Sequence, residues 1–216
     1  MKSLILKDLY NIGHNAKSML FILLVLAVTL VPTSGGVEGY MITCAIMCSM
    51  MIVTTFAFDD SSKWTRYALI MPVSKKELVA GKFAVLAIFC GVGSVFGLLV
   101  GLISRVAMDK AALVLTETGE LLLLALVAWV IGFALGSMLI PLVLKFGAEK
   151  GRILLLVSVL VPTAILFGAY QLLAMLGVEF TDRLVLLLLC CSPVAALAWS
   201  YGMYQISCQI FKKQEL

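Results

Sequence analysis

Residues 58–82 read FDDSSKWTRYALIMPVSKKELVAGK and form the longest charged interruption of a chain that is otherwise strongly apolar. Four side chains in this stretch follow the i, i+3, i+4, i+7 spacing of one helical face: Trp64, Tyr67, Ala68 and Met71. Pro72 ends that predicted short helix, and Ser74 with Glu77 predicts a capping box that begins the next helix. A folded, basic, aromatic-bearing segment between two apolar runs is typical of a surface that another protein binds.

Composition places the whole chain in a membrane. Of its 216 residues 62% are hydrophobic and only 13% are charged. Several apolar runs approach or exceed the roughly 20 residues that cross a hydrocarbon core. We therefore expect an all-α, polytopic membrane protein that forms a single domain over residues 1–216, without a signal peptide. The predicted spans are Ser18–Val31, Tyr40–Phe58, Phe83–Ile103, Leu121–Leu144, Ile153–Leu176 and Leu184–Ser207.

The distribution of basic residues predicts the orientation of these six spans. Thirteen of the 16 Lys and Arg residues lie on the side that would carry both termini. The other side has three: Arg105, Lys110 and Arg183. Because cytoplasmic loops of membrane proteins are enriched in Lys and Arg, we expect both termini and segment 59–82 in the cytoplasm.

Residues 1–17 precede the first predicted span and show helical spacing on two faces. One face carries Ile5, Leu9 and Ile12, and the other carries Lys7, Asn11 and His14. This pattern favours an amphipathic helix lying in the membrane interface. The alternative is a frayed polar leader that only supplies positive charge.

Glycines recur at four-residue spacing in the third and fourth predicted spans. They are Gly93, Gly97 and Gly101 in the third span, and Gly132 and Gly136 in the fourth. Such spacing places small residues on one face and allows another helix backbone to approach closely. The pattern favours packing within the chain over a contact between subunits.

Several classes of activity lack the residues that they require. His14 is the only histidine, so neither a Ser–His protease nor a zinc site with paired histidines is expected. Asp59 and Asp60 are adjacent and diverge by about 100° around a helix, which excludes a facing aspartyl pair. The chain has no GxxxxGKS/T loop, and its predicted spans contain no carboxylate.

We therefore expect no catalytic residue, metal site or cofactor in this chain, which leaves transport powered by a separate protein. The six cysteines lie in or at the ends of apolar runs, where cysteine is usually a packing residue. They are Cys44, Cys48, Cys90, Cys190, Cys191 and Cys208.

The order of these features resembles the small permease subunits of ABC-2-type exporters in Gram-positive bacteria. An interfacial helix and two spans are followed by an aspartate, W-x-x-Y and P-V-S-K-K-E-L-V-x-G-K. The matching residues are Asp59 or Asp60, Trp64, Tyr67, Pro72, Val73, Ser74, Glu77, Gly81 and Lys82. Within that family the chain is most similar to permeases of phenol-soluble-modulin-type exporters and to bacteriocin-immunity permeases.

The resemblance implies a dimer, formed with a second copy or a paralogue, in a bacterial cell membrane. It also implies one ABC ATPase, holding ATP and Mg²⁺, below each subunit. A coupling helix in segment 59–82 would dock on that ATPase through Asp59, Asp60, Lys63, Trp64, Arg66, Tyr67, Met71, Pro72, Ser74 and Glu77. A second cytoplasmic contact would comprise Lys145, Glu149, Lys150 and Arg152.

Each implied contact has a simpler alternative. Trp64 and Tyr67 fit an aromatic belt that anchors a helix to lipid headgroups, and residues 145–152 fit a plain basic turn. At the level of function, the expectation is export of amphipathic or hydrophobic peptides, with lipid but no nucleic acid as a further partner. Two alternatives are the membrane component of an ABC-type vitamin importer and an immunity protein that transports nothing.

Overall fold

The structure, a computed structural model, describes residues 2–33, 36–64, 67–68, 74–107, 115–175 and 182–213. Within those ranges every regular element is helical, so the predicted all-α class is confirmed there. The α-helices are α1 (Lys2–Leu30), α2 (Gly36–Ser61), α3 (Lys75–Ala107), α4 (Leu115–Phe146), α5 (Gly151–Met175) and α6 (Asp182–Lys213). A 3₁₀ helix, Ala148–Lys150, joins α4 to α5.

Three of these helices are long and apolar enough to cross a bilayer: Gly36–Ser61, Lys75–Arg105 and Gly119–Phe146. They contain the second, third and fourth predicted spans. In α5 only the shorter piece Leu156–Ile165 stands out as apolar by the same criterion. The chain is therefore a multi-pass membrane protein, and its predicted total of six spans stays a prediction.

Helix α1 consists of two arms that meet at a bend. Ser3–Gly13, here called the N-terminal arm, is inclined by 63° to Lys17–Leu30. If the two arms count as one broken span, the helices that satisfy the length and composition test rise to four. The bend separates the predicted amphipathic segment from the first predicted span, and the interfacial position of that segment stays a prediction.

Helix α2 lies at the centre, with α3 and α4 packed closely against it. A Cβ at Gly93 of α3 would lie 2.9 Å from the carbonyl oxygen of Cys44, and one at Gly132 of α4 would lie 2.9 Å from the carbonyl oxygen of Ala45. Because real Cβ atoms do not approach backbone so closely, both contacts require glycine. The spaced glycines of α3 and α4 thus contact helices of the same chain.

The same end of the bundle gathers five helix termini: the starts of α1 and α3, and the ends of α2, α4 and α6. We call it the charged end, because ionisable side chains from four of these helices meet there: Lys7, Asp8, Asp59, Asp60, Lys82 and Lys145. Leu4 and Phe211, near the two chain termini, line the same cavity. Leu4 and Phe211 therefore lie on the same side of the bundle as the ends of α2 and α4.

Candidate functional site

Four side chains of alternating sign form a closed ring at the charged end. We call Lys7, Asp8, Asp59 and Lys82 the charge quartet. The ammonium nitrogen of Lys7 lies 2.5 Å from Oδ1 of Asp59, and that of Lys82 lies 2.5 Å from Oδ2 of the same carboxylate. Lys82 also lies 2.9 Å from Oδ2 of Asp8, and Lys7 closes the ring at 3.2 Å from Oδ1 of Asp8. The ring joins α1, α2 and α3.

Burial makes the mutual pairing of these charges necessary. Only 5% of the Asp8 side chain and 8% of the Asp59 side chain are exposed, against 11% for Lys82. A charge removed from water is tolerated only when it is paired and hydrogen-bonded. Two lysines and two aspartates cancel, so the quartet satisfies this condition as a unit.

The two carboxylates are not equivalent. Asp59 accepts a hydrogen bond on each oxygen, from Lys7 and from Lys82. Oδ1 of Asp8 is buried and has no hydrogen-bond partner among the residues that the structure describes; its contact with Lys7 is an ion pair without hydrogen-bond geometry. Asp59 is therefore the centre of the quartet, whereas Asp8 accepts fewer hydrogen bonds.

Aromatic rings cover both ammonium groups. The nitrogen of Lys7 lies 4.5 Å from the ring centroid of Trp64, and that of Lys82 lies 4.9 Å from the centroid of Phe56. A cation over an aromatic face is attracted by the negative face of the ring. Trp64 thereby attaches segment 59–82 directly to the N-terminal arm.

An ion pair joins the two ends of segment 59–82, and a capping box marks the start of α3 within it. Asp59 and Lys82 occupy its first and last positions, so their ion pair closes the segment at its base. At the start of α3, Oγ of Ser74 accepts from the backbone N–H of Glu77 at 3.2 Å, and Oε2 of Glu77 accepts from the N–H of Ser74 at 3.0 Å. The predicted capping box is confirmed.

The aromatic side chains of this segment point in two directions. Trp64 is half-buried under Lys7 and lines the cavity described below, whereas Tyr67 is 61% exposed and Ala68 is fully buried. Lys63, at a positive φ of 52°, is exposed in the turn that separates Trp64 from α2. The other predicted docking residues of this stretch, Arg66, Met71 and Pro72, lie outside the described residues.

The adjacent carboxylates diverge, as their spacing predicted. Asp59 faces the quartet, while Asp60 is exposed and its Oδ2 accepts from the backbone N–H of Ala148 at 3.4 Å. That bond joins the α2–α3 connection to the 3₁₀ helix after α4.

The α4–α5 connection is held by backbone. Gly147 has a φ of +82°, and its N–H donates to the carbonyl of Val143 at 2.8 Å, so it ends α4 in a left-handed cap. Lys145 and Lys150 are exposed. The side chains of Glu149 and Arg152 lie outside the description.

A cavity of about 420 Å³ lies between the quartet and the ends of α4 and α6. The quartet and Asp60 form its polar wall. Its apolar wall includes Leu4, Phe56, Ile140, Val143, Phe146 and Phe211. A cavity of this character offers room for side chains to rearrange beside a paired set of charges.

Comparison with known families assigns the chain. A family model described as "ABC-2 family transporter protein" matches residues 3–212, which include the quartet and all of the six helices except the first residue of α1 and the last residue of α6. The chain belongs to the ABC-2 family of transporter proteins. No curated protein matched the sequence.

Membership makes this ABC-2 protein a membrane transport component that is not itself catalytic, and it confirms the resemblance at the level of the family. Among the described residues of the ABC-2 protein, no three His, Cys, Asp or Glu side chains are grouped so as to hold a metal ion. What the charged end offers chemically is a neutral ionic ring, a half-buried indole and an exposed phenol.

Sequence reasoning missed the part that the N-terminal arm plays in this ABC-2 protein. Lys7 was assigned only to a polar helical face, and Asp8 to nothing. One signal was available: Asp8 is the sole acidic residue before Glu38. A lone carboxylate in a basic, amphipathic segment indicates a partner elsewhere in the chain.

Proposed function

We propose that this ABC-2 protein is the permease subunit of an ATP-driven exporter and that it binds a separate ABC ATPase through segment 59–82. Family membership supports the transport role. The observation that carries the proposal is the geometry of the segment: its ends are closed by Asp59 and Lys82 while Tyr67 stays 61% exposed. A large aromatic side chain on a fixed base is the kind of anchor that dominates interfaces.

The α4–α5 connection supplies a second contact in this proposal. The bond between Asp60 and Ala148 places Lys145 and Lys150 beside segment 59–82, and both lysines are exposed. Exposed cations suit an acidic rim on the ATPase and would act mainly on association rate and orientation. ATP and Mg²⁺ would be held entirely by the ATPase, and a second permease copy or paralogue would complete the transporter.

The charged end would face the cytoplasm of a bacterial cell. The chain places residues near both termini at this end, and the side predicted to carry those termini holds 13 of the 16 basic residues. Enrichment of Lys and Arg in cytoplasmic loops supports that orientation. The ATPase would then bind from the compartment that contains ATP.

Amphipathic or hydrophobic peptides are the proposed substrates. The predicted spans contain no Asp or Glu, so a path between subunits would be lined mainly by aliphatic, aromatic and small side chains. Such a wall discriminates weakly, because a single methylene in an apolar pocket changes affinity by only about 1–3 kcal/mol. We therefore expect broad tolerance among amphipathic peptides.

Single tyrosine-to-alanine substitutions test the contact with the ATPase. Tyr67→Ala should weaken association with a co-expressed ABC ATPase by about 2 kcal/mol or more, as loss of a central aromatic anchor does. Tyr201→Ala is the matched control, since Tyr201 is 63% exposed but lies on α6. The measurements are the stoichiometry of the purified complex and its ATP turnover. Equal binding by both variants, or ATP turnover by the permease alone, would contradict the proposal.

Transport is tested in inverted membrane vesicles that carry the permease and the ATPase. We expect ATP-dependent uptake of a labelled amphipathic peptide, with no uptake when the ATPase cannot hydrolyse ATP. An immunity protein that only binds its toxin would give binding without ATP-dependent uptake. Uptake of a small hydrophilic solute alone would refute the assignment of substrate.

A further inference from the structure

The charge quartet connects the two ends of the proposed ATPase-binding segment to the N-terminal arm of α1. Asp59 and Lys82 are the ends of segment 59–82, whereas Lys7 and Asp8 belong to the N-terminal arm. We propose that these four are positioning residues for transport, which make the N-terminal arm move with segment 59–82 when the ATPase binds nucleotide. This inference rests on the proposed function, because it requires an ATPase at that segment.

The contacts in the quartet are short enough to transmit displacement. Asp59 is bonded at 2.5 Å on each oxygen, one bond leading to α1 and the other to α3. A rigid movement of segment 59–82 therefore either carries both lysines with it or breaks buried ionic contacts. Breaking one such contact leaves an unpaired charge out of water, which is strongly unfavourable.

A second contact attaches the arm to the interior of the segment. Lys7 bonds to Asp59 at the base and covers the ring of Trp64, five positions further along. One ammonium group thus holds two points of the segment. The 63° bend turns the axis of the N-terminal arm away from that of Lys17–Leu30, so that the arm packs with segment 59–82 at the charged end.

The surroundings allow the quartet to move as a body. Its four members line one wall of the 420 Å³ cavity, whose other wall is formed by the ends of α4 and α6. Tightly packed interiors resist displacement, whereas a void beside a cluster leaves it room. The quartet is therefore tied by ion pairs to α2, α3 and the N-terminal arm, whereas on the side of α4 it borders the cavity.

The experiment follows the N-terminal arm with a fluorescent label and needs no transported substrate. The side chain of Tyr10 is 84% exposed and lies one turn after Lys7. A bimane attached to the cysteine of the Tyr10→Cys variant therefore reports on the N-terminal arm. The six native cysteines are replaced, and the labelled permease is purified with its ATPase. We expect Mg²⁺ with a non-hydrolysable ATP analogue to change the bimane emission.

Four variants separate positioning from simple stabilisation. Asp59→Asn and Lys82→Met should reduce the nucleotide-dependent change by at least about tenfold, within the usual range of coupling between sites, with the ATPase still bound. Lys82→Arg keeps the charge and should retain the change. Lys76→Met removes an exposed lysine from the same helix and should leave the change unaltered.

A fifth variant combines Asp59→Asn with Lys82→Met, which leaves Lys7 and Asp8 to pair with each other. We expect this double variant to recover thermal stability but not the bimane response. Recovery of both together would mean that the quartet only stabilises the fold, and would overturn the inference.

The remaining outcomes separate the inference from the proposed function. A wild-type chain that binds the ATPase, with a bimane response that the quartet variants retain, would overturn the inference alone. So would a wild-type chain that binds the ATPase and gives no response. Failure of the wild-type chain to bind any ABC ATPase would overturn the proposed function.

Discussion

Two connections meet at the charged end, and different interactions hold them. The α2–α3 connection, residues 62–74, lies within segment 59–82 and depends on side chains, through the charge quartet at the ends of that segment and the Ser74–Glu77 capping box. The α4–α5 connection depends on backbone, through Gly147 and its bond to Val143. The difference lies in what a partner protein could influence: charged side chains respond to new charges and contacts, whereas a backbone turn does not.

The comparison explains why the two connections differ in length. A turn ended by a left-handed glycine reverses the chain within a few residues and needs no further support. Bringing the ends of a long connection together costs conformational entropy, and an attractive interaction at those ends can offset that cost. The bond between Asp59 and Lys82 does so across 23 residues, which leaves the middle of the segment available for binding.

The largest expected effect separates two neighbouring carboxylates. Asp59→Asn leaves Lys7 and Lys82, both largely removed from water, to share the single carboxylate of Asp8, and should lower the free energy of unfolding by about 3–5 kcal/mol. Asp60→Asn keeps an acceptor for Ala148 at an exposed position and should change it by about 0.5 kcal/mol or less. Denaturant titration in mixed micelles measures both. Similar losses for the two variants would show that the quartet adds no stability beyond that of a surface pair.

A smaller effect is expected at the backbone turn. Gly147→Ala forces a side chain into the left-handed region and should cost about 1–2 kcal/mol. Gly147→Asn should cost less, because asparagine tolerates that region. The same micelle titration reports the difference. An alanine variant as stable as wild type would show that other interactions stabilise this turn.

The smallest effect is expected at the start of α3. Ser74→Ala removes the oxygen that accepts from Glu77 and should cost about 1 kcal/mol. Glu77→Gln preserves the reciprocal bond and should cost less. Hydrogen exchange of the first turn of α3 is the sharper measurement, since it reports local opening. Faster exchange in the glutamine variant than in the alanine variant would contradict the capping role.

The features that could be predicted from the sequence alone depend on residues that are close together in the chain. The capping box and the glycine cap depend on residues a few positions apart, so Ser74, Glu77 and Gly147 could be assigned without knowing the fold. The apolar runs placed α2, α3 and α4 because length and composition suffice for a membrane helix. Glycine spacing predicted that α3 and α4 pack within the chain, but it did not indicate α2 as the partner helix.

The quartet could not be predicted in this way. Lys7 and Asp59 are 52 residues apart, and their contact depends on the rotation of each helix about its axis. In a soluble helix an apolar stripe fixes that rotation, but a membrane helix is apolar on nearly all sides. The same difficulty explains Trp64, which was grouped with Tyr67 as one docking face although Lys7 draws it toward the interior of the bundle.

The ring of charges also bears on how the protein is made. Lys7 and Asp8 leave the ribosome first, Asp59 follows about fifty residues later, and Lys82 completes the set after a second hydrophobic helix has begun. The ring can close only if all four arrive on the same side of the bilayer. A chain inserted with α2 reversed would strand Asp59 on the opposite face, away from the lysines. The pairing of the quartet is therefore compatible with one topology of the first three helices and incompatible with a reversed α2.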